Sequence, residues 1–419
     1  MDCILFYLPK YRQEWVAKKL IEDAEATFET SFYAPGNFTL RMSADDDLIA
    51  ILKEQCLVVP LSPRSDTSVL DNPFIVEKVY MGEDEEKGKN VTLSGRTADA
   101  MFCYRTLNYL WEEDGDIQFE PLDISNEQAS DIVMIAFNHL FQVYNQDPYI
   151  PRKIPWVHIS SAVPARSFPK ISKTYTGENF LEEVNDLRKK YKFGIKAEMV
   201  RAKINDPDAE NPDEWTLDFT VFKPNNYSSG SNRIILSAAN DDIDSTDYNY
   251  DKTNEKTAII ALGIERHGEV IDGDMIDIET EFAVQSTTGE VGFFRKEDFE
   301  DLKGVKTAGL PGEVKETITE QASTFLEKPH EKISFVESAN SRYKCKIDYD
   351  LGDILIVRDE FGNYGKVRCT KISEVFDYNG YRCIPTFDEW ETIPCILRTK
   401  TGARFLTLDN KQIILNGGK

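Results

Sequence analysis

Alternation of apolar and polar positions dominates the first 124 residues of the chain. In the stretch FETSFYAPGNFTLRM, apolar residues recur at every second position on both sides of the turn Ala34–Asn37. This pattern predicts a β-hairpin. LKEQCLVVPL and NPFIVEKVYM predict further strands, and VTLSGRTADAMFCYRTL predicts a strand that runs into a short helix. Tyr11 to Glu25 also fits a helical period, but from about Glu22 onward a strand fits better.

Helical spacing of apolar residues occurs in three later segments. The sequence SNEQ at Ser125–Gln128 is a capping-box pattern and predicts the start of the first helix. Thr176 is predicted to cap the second helix, which Gly194 stops. A third helix is predicted within 311–329, where apolar residues recur every three or four positions.

Strand patterns return after the third helix and are clearest in 331–391. Tight turns are predicted at Gly362-Asn363 and Asn379-Gly380 because these dipeptides favour a positive φ. The fold class predicted from the whole pattern is α+β and dominated by β structure. The predicted segments are a β region at 1–124, a helix-rich region at 125–200, a mixed region at 201–330, a β region at 331–391 and a short extension at 392–419.

The charge balance limits the partners that the chain can have. Its 419 residues include 49 basic and 73 acidic side chains, which gives a formal net charge of −24. Such a surface repels phosphate, so sequence-specific nucleic-acid binding and adhesion to an anionic membrane are disfavoured. We find no run of about 18 apolar residues and no signal-peptide pattern at the start, so we expect synthesis in the cytoplasm and no stable membrane insertion.

Cysteine and histidine spacing offers no catalytic or metal-binding motif. The seven cysteines are all at least 12 positions apart and most lie among apolar residues, which predicts small buried side chains. His139, one of four histidines, lies in an apolar helical pattern and is predicted to pack in the core. The sequence therefore predicts no catalytic residue, no metal site and no cofactor.

The acidic stretch NDDIDSTDYNYD resembles a calcium-binding loop only superficially. With Asp242 as the first ligand, Asp247 occupies the sixth position, where glycine is needed, and Thr253 occupies the twelfth, where glutamate is needed. The stretch is predicted to be a solvated acidic loop rather than an EF-hand.

Two carboxylate clusters remain as chemical candidates. Asp272, Asp274 and Asp277 form one, and Asp348, Asp350 and Asp353 form the other. Paired carboxylates suit glycoside hydrolysis, but carboxylates at every second position are also typical of the polar face of a strand. The strand interpretation is favoured, with Gly352-Asp353 as a turn before a buried strand.

The ordered set of these motifs resembles the Gp-thirty-seven-like siphophage tail proteins. The segment with Asp348–Asp353, Arg368–Val375 and Gly380–Phe387 is similar to the last barrel of that family. SFYAPGNFTLRM resembles its first hairpin, and VTLSGRTADAMFCYR resembles its glycine–arginine turn, with Arg105 at the final arginine. The chain departs from the family at Pro224 to Ser231. The structural residues that carry the resemblance are Gly36, Phe38, Gly95, Arg96, Tyr343, Asp348, Asp350, Gly352 and Asp353.

This resemblance implies a baseplate hub in the virion, at the distal end of a phage tail. Such hubs are trimers in which each subunit supplies two β-barrels, here 1–124 and 331–391, with helix-containing mixed domains between them, of which 201–330 contributes in part to the second barrel. The expected partners are two further copies, a tail-tube or distal-tail ring, the tape-measure protein and a tail fibre or receptor-binding protein. DNA would pass through the channel without stable binding.

The resemblance implies a structural protein and no enzymatic activity. Two other functions stay open, a cell-wall-degrading enzyme of the tail tip and a carbohydrate-binding adhesin. We expect no wall-degrading domain after Phe387, because only 32 residues follow it.

Overall fold

A computed structural model describes most of the chain. The described residues are 3–9, 15–20, 25–43, 46–61, 70–84, 88–113, 116–142, 152, 154, 156–201, 215–271, 274–303, 311–338, 340–358, 364–392, 395–396 and 414–415. The Gly362-Asn363 turn, Asp272 and most of the extension after Thr392 lie outside the described residues.

Strands make up most of the described chain. In the N-terminal region they are β1 (Cys3–Leu8), β2 (Val16–Leu20), β3 (Glu25–Ser31), β4 (Asn37–Ser43), β5 (Gln55–Pro60), β6 (Leu70–Asp71), β7 (Phe74–Asp84), β8 (Gly88–Thr97), β9 (Tyr109–Glu113), β10 (Asp116–Glu120) and β11 (Leu122–Gln128). They continue as β12 (Val157–Ser161), β13 (Lys170–Tyr175), β14 (Gly194–Arg201), β15 (Trp215–Phe222), β16 (Ile235–Ser237), β17 (Ile243–Asp251), β18 (Ala258–Ile271), β19 (Asp274–Thr287) and β20 (Glu297–Asp301). The last are β21 (His330–Glu337), β22 (Ile354–Arg358), β23 (Tyr364–Asp377), β24 (Gly380–Thr392), β25 (Cys395–Ile396) and β26 (Ile414–Leu415).

Helices are few and short beside the strands. They are α1 (Asp46–Ile51), α2 (Ala129–Phe137), α3 (Phe180–Tyr191) and α4 (Pro311–Ser323), with a π-helical turn at Asn138–Gln142 that extends α2 and a 3-10 turn at Ala98–Tyr104. None of the helices in the described part of the chain is both long and apolar enough to span a bilayer. The predicted α+β, β-dominated fold class is confirmed, and α4 confirms the predicted third helix.

One large sheet joins the first strands of the chain to β21, β23 and β24 near its C-terminal end. Its order is β17-β21-β24-β23-β3-β4-β8-β7-β5-β1-β2, and β22 links β16 to β23. The N-terminal and C-terminal strands meet where β3 runs antiparallel to β23, from the pair Lys371 and Ser31 to the pair Phe376 and Ala26. The strands expected in two separate regions therefore share a continuous network of backbone hydrogen bonds.

Two predicted turns have the expected form. β3 and β4 form an antiparallel hairpin, which confirms the interpretation of FETSFYAPGNFTLRM. β23 and β24 form a second one, closed by Asn379-Gly380 with Gly380 at φ +98°. Alternation along β4 places Phe38, Leu40 and Met42 in the core, because successive side chains of a strand point to opposite faces.

A smaller layer packs beside the large sheet. Its sheet has the order β12-β15-β14-β6 and faces α2 and α3 across an aromatic core. Phe102 is central, since its ring lies 4.9 Å from that of Phe180 and 5.0 Å from that of Phe219. His139 is buried there and its Nε2 lies 3.2 Å from the Asn108 carbonyl oxygen, so the predicted core position is confirmed.

The described chain divides into two compact units. The first comprises residues 1–247 and 333–419, and the second comprises residues 248–332. In the second unit, β19, β18 and β20 form a three-stranded sheet, and α4 packs on β18 and β19. Its core contains Ile259, Ala261, Val314, Ile318 and Ala322.

Two predicted helix starts are wrong. Ser125–Gln128 is extended because β11 pairs with β13, and α2 begins only at Ala129. Asn179 rather than Thr176 caps α3, through hydrogen bonds that its Oδ1 accepts from the backbone N–H groups of Leu181 and Glu182. The helix ends at Tyr191 and Lys192 takes the left-handed conformation, so Gly194 starts a strand instead of stopping the helix.

Three further interpretations need correction. Val16–Leu20 is a strand, although Tyr11 to Glu25 also fitted a helix; the strand expected from about Glu22 is confirmed over Glu25–Ser31, and Glu22 itself lies outside the described residues. The acidic stretch after Asp242 forms strand β17 rather than a loop. The segment YKCKIDYDLGD is a series of turns, since within it the described residues show only an isolated bridge between Cys345 and Tyr349.

Candidate functional site

The β3–β4 hairpin is fastened by a buried polar network. Its turn residue Gly36 donates its backbone N–H to Thr97 Oγ1 at 2.9 Å, and Thr97 returns its own N–H to the Gly36 carbonyl at 3.1 Å. A Cβ on Gly36 would lie 1.8 Å from the Glu29 carbonyl oxygen, so only glycine fits this close approach. Thr97 Oγ1 in turn donates to the Asp99 carboxylate.

Asp99 forms an ion pair with Arg188 of α3 in the interior. Arg188 Nη1 lies 2.9 Å from Asp99 Oδ2, and the side chains of Arg188 and Asp99 are only 1% and 7% exposed. Arg188 Nη2 donates to the Ser31 carbonyl at the end of β3. Burial lowers the pKa of Arg188, and the Asp99 carboxylate opposes this shift by stabilising the guanidinium. The pair ties α3 to the hairpin and to the 3-10 turn at Ala98–Tyr104.

A second cluster gathers around the carboxylate of Glu389 in β24. Tyr33 and Lys192 both donate to Oε1, while Arg368 Nε donates to Oε2 at 2.8 Å. Burial by itself would raise the pKa of Glu389, but the hydrogen bonds from Arg368, Lys192 and Tyr33 lower it below its usual value. One carboxylate thus connects the hairpin, the end of α3 and two C-terminal strands.

Gly352 and Asp353 form the turn before β22, as predicted. Asp353 is 4% exposed and accepts the backbone N–H groups of Asn225 at 2.7 Å and Asp350 at 2.9 Å. Burial raises the pKa of Asp353 to about 6, against the lowering effect of these two hydrogen bonds. Gly352 has φ +89°, and a Cβ there would lie 2.4 Å from the Phe32 ring.

Asp348 and Tyr343 lie in the same series of turns. Asp348 is exposed and accepts the backbone N–H of Lys344 at 2.7 Å, and the Arg342 guanidinium lies 5.6 Å from the centre of the Tyr343 ring. The predicted strand face of carboxylates at 348, 350 and 353 is wrong, because their segment turns. Their contacts are with backbone N–H groups of the same loop and of residue 225.

Three other residues identified from the sequence lie on N-terminal strands, Phe38 on β4 and Gly95 and Arg96 on β8. A Cβ on Gly95 would be 1.8 Å from the Ile75 carbonyl oxygen, where β7 bulges between Val76 and Lys78. Arg96 forms a bidentate ion pair with Glu77, with Nη2 at 2.6 Å from Oε1 and Nε at 3.1 Å from Oε2. Phe38 stacks on Phe28 with ring centres 5.7 Å apart.

The structure brings two groups of the sequence-identified residues together. Gly36 lies in the turn of the β3–β4 hairpin, and Gly352 lies against the Phe32 ring of the same hairpin. Arg368 links Gly352 to the hairpin, because it donates to the Gly352 carbonyl at 2.8 Å and lies over the Phe32 ring. Tyr343 and Asp348 have no such contact with the hairpin among the described residues. We name the Arg188–Asp99 pair and the Glu389 cluster together the polar junction.

Sequence analysis missed the charged members of the polar junction. The burial of Arg188 could have been predicted, because it follows Leu181 and Val184 at helical spacing and so lies on the buried face of α3. Asp242 was expected to be solvated but is 0% exposed and accepts backbone N–H groups from Ser237 and Arg342. No comparable local signal marks Asp242.

The remaining chemical candidates are structural or not described. Cys3, Cys56, Cys345, Cys369 and Cys383 are buried, as the sequence predicted. Asp274 and Asp277 lie on β19, and only their backbone is described. In the described part of the chain, no group of three or more His, Cys, Asp or Glu side chains is arranged to hold a metal ion. What the polar junction does chemically is to fasten distant segments with charge-assisted hydrogen bonds.

A family profile decides the class of protein. The profile of the siphovirus ReqiPepy6 Gp37-like protein family matches residues 13–387, which is most of the chain. The chain belongs to this family. The match includes every residue of the polar junction except Glu389, the central carboxylate of the second cluster. It confirms the resemblance drawn from the ordered motifs.

Two solved tail proteins align with most of the chain. The crystal structure of the 43 kDa tail protein of prophage MuSo2 from Shewanella oneidensis aligns with a TM-score of 0.54 at 12% identity, over 92% of this chain and 98% of that one. A tail protein from Neisseria meningitidis aligns with a TM-score of 0.49 at 11% identity, over 93% of this chain and 96% of that one. A search of curated proteins gives no significant match. The first likeness shows that the chain has the fold of a tail protein.

Proposed function

We propose that this family member is a structural protein of the phage tail and forms a trimeric baseplate hub at the distal end of the tail tube. The observation that carries the proposal is the family match over residues 13–387. The tail-protein fold shared with the Shewanella prophage protein supports it. In this proposal, residues 1–124 and 331–391 supply the two barrels of each subunit, and the segments between them form the mixed domains.

The polar junction gives the proposed hub a mechanical basis. A ring that opens for genome ejection transmits force through each subunit, and here β3 and β23 join distant parts of one sheet. Arg188–Asp99 and Glu389 fasten α3 to the same hairpin. Charge-assisted hydrogen bonds in the interior are stronger than neutral ones, so the segments that they join in the first unit would move together.

The proposed partners follow from the position in the tail. The ring would contact the tail-tube or distal-tail protein on one side and a tail fibre or receptor-binding protein on the other. The tape-measure protein and then the DNA would pass along its axis. A net charge of −24 supports passage of DNA without sticking, since like charges repel.

The hub proposal includes the absence of enzymatic activity. Asp353 supports this, because both of its carboxylate oxygens accept backbone N–H groups. Asp348 likewise binds the backbone N–H of Lys344. A glycosidase needs two carboxyl groups that face the substrate rather than their own loop.

Electron cryomicroscopy of purified tails tests the proposal directly. We expect three copies of the chain around the axis at the distal end of the tube. Absence from the particle, or a position away from the axis, would contradict the hub. An isolated chain that retains or cleaves host wall glycan would instead favour the adhesin or the enzyme.

A further inference from the structure

The loop between β19 and β20 exposes an unusual set of apolar side chains. Val291, Phe293 and Phe294 are 75%, 94% and 69% exposed. We call these three residues the knuckle. Soluble proteins rarely leave large apolar side chains this exposed side by side unless the surface binds a partner.

The knuckle projects from a loop whose base is fixed by hydrogen bonds. Gly289 and Gly292 adopt φ +94° and +60°, and a Cβ on either would meet nothing within 4 Å. The base of the loop is fixed, because Thr257 Oγ1 donates to the Phe294 carbonyl at 3.3 Å and accepts the Lys296 backbone N–H at 2.8 Å. A loop that is already ordered loses little entropy when it binds.

The charges beside the knuckle are neutralised locally. Arg295 lies 2.6 Å from Glu297, and Lys296 lies 2.9 Å from Glu255. Most of the surface of a chain with net charge −24 repels another copy of itself. A patch with paired charges and an apolar centre is where a second copy can approach without that repulsion.

A separate groove on the first unit has the properties to receive the knuckle. It lies across β3, β4, β8 and β23 and has a volume of about 450 Å³. Its accessible apolar side chains are those of Val375 and Tyr378, and three threonines, Thr27, Thr39 and Thr92, complete the lining. Tyr378 is 90% exposed, so its ring is available to a partner. The rim carries both charge signs, from Glu25 and Asp377 and from Arg41.

We propose that the knuckle of one copy inserts into this groove on the next copy. The knuckle and the groove are different surfaces, so the contact is heterologous, and a heterologous contact that closes on itself builds a ring. This inference rests on the proposed trimer and assigns the side chains that would hold it together.

Complementary variants of the full-length chain test the contact. The knuckle variant carries Phe293→Ser and Phe294→Ser, and the groove variant carries Thr39→Trp, which fills the groove from an exposed position on β4. By sedimentation velocity we expect each variant alone to be monomeric, with subunit affinity weakened at least tenfold. Phe119→Ser is the matched control, because Phe119 of β10 is an aromatic residue that is 50% exposed and belongs to neither the knuckle nor the groove. It should leave the trimer intact.

An equimolar mixture of the two variants gives the decisive result. The groove variant still has a knuckle and the knuckle variant still has a groove, so we expect one-to-one dimers that cannot close into a ring. Unchanged thermal melting of each variant shows that it remains folded. If both variants form trimers as stable as those of the wild-type chain, the proposed contact is wrong, but the hub proposal is unaffected. If the wild-type chain is monomeric both in isolation and in the tail, the proposed trimer is wrong as well.

Discussion

The two halves of the polar junction hold the same hairpin in different surroundings. Arg188 and Asp99 are 1% and 7% exposed, and each charge has its counterpart in the interior. The Glu389 and Lys192 side chains are 31% and 44% exposed, so water reaches the second cluster. The comparison separates the contribution of an intact ion pair to the free energy of unfolding from the cost of removing one of its two partners.

When an ion pair is buried, the loss of one partner costs more free energy than the intact pair contributes. A buried ion pair gains little over an apolar pair of the same volume, because both ions lose their hydration. Removing one member leaves the other charge in the interior with no water to solvate it. In the Glu389 cluster water can replace a lost partner, so we expect smaller effects there.

The largest effect is expected for Arg188→Met. The change leaves the Asp99 carboxylate buried beside a methionine of similar length and should lower the free energy of unfolding by about 3–5 kcal/mol. Urea denaturation monitored by circular dichroism measures the loss. The double variant with Asp99→Leu removes both charges and should recover much of it. A double variant as unstable as the single one would show that the pair itself stabilises the fold.

A smaller loss is expected for Glu389→Ala. The change leaves Arg368, whose side chain is 9% exposed, without its carboxylate, whereas Lys192 can turn to water. We expect the free energy of unfolding to fall by about 2 kcal/mol. Lys192→Ala is the matched control and should cost about 0.5 kcal/mol, as exposed ion pairs do. Equal losses in these two variants would remove the distinction between buried and exposed members of the cluster.

Features set by local sequence were predicted well. The β3–β4 hairpin, the turn at Asn379-Gly380 and helix α4 all follow from the pattern of neighbouring residues, and the structure confirms each. The prediction failed where a distant strand competed with a local signal. Ser125–Gln128 carries a capping box, yet pairing of β11 with β13 keeps this segment extended.

The polar junction depends on contacts that periodicity does not encode. Asp99 and Arg188 are 89 positions apart, and Tyr33 and Glu389 are 356 apart. Arg188 was visible as a charge on an apolar helical stripe, but the sequence does not name its partner. Gly36 and Gly352 were found through family motifs, and only the structure shows that both allow close approach to the hairpin.

Asp353 extends the comparison to a buried carboxylate that accepts two backbone N–H groups. Its pKa in the folded chain is about 6, above the ordinary value of 3.8, so the native state binds the proton first as the pH falls. Its contribution to stability therefore rises as the pH falls from 7 to 5. Relative to Asp353→Asn, the wild-type chain should gain about 1 kcal/mol of unfolding free energy over this range.

Urea denaturation of both chains at each pH measures that gain. Asp348→Asn is the matched control, because this carboxylate is exposed in the same series of turns. A stability difference between Asp353→Asn and the wild type that stays constant from pH 7 to pH 5 would contradict the raised pKa.

A small effect is also expected for the ion pair between Arg96 and Glu77, which water reaches as well. The ion pair is bidentate, but the Arg96 and Glu77 side chains are 39% and 27% exposed. Arg96→Ala should therefore lower the free energy of unfolding by about 0.5–1 kcal/mol, and 1 M salt should reduce that difference because it screens exposed charges. The Arg188→Met loss should change little with salt, because salt does not reach the interior. If the two losses respond to salt alike, burial is not what separates these ion pairs.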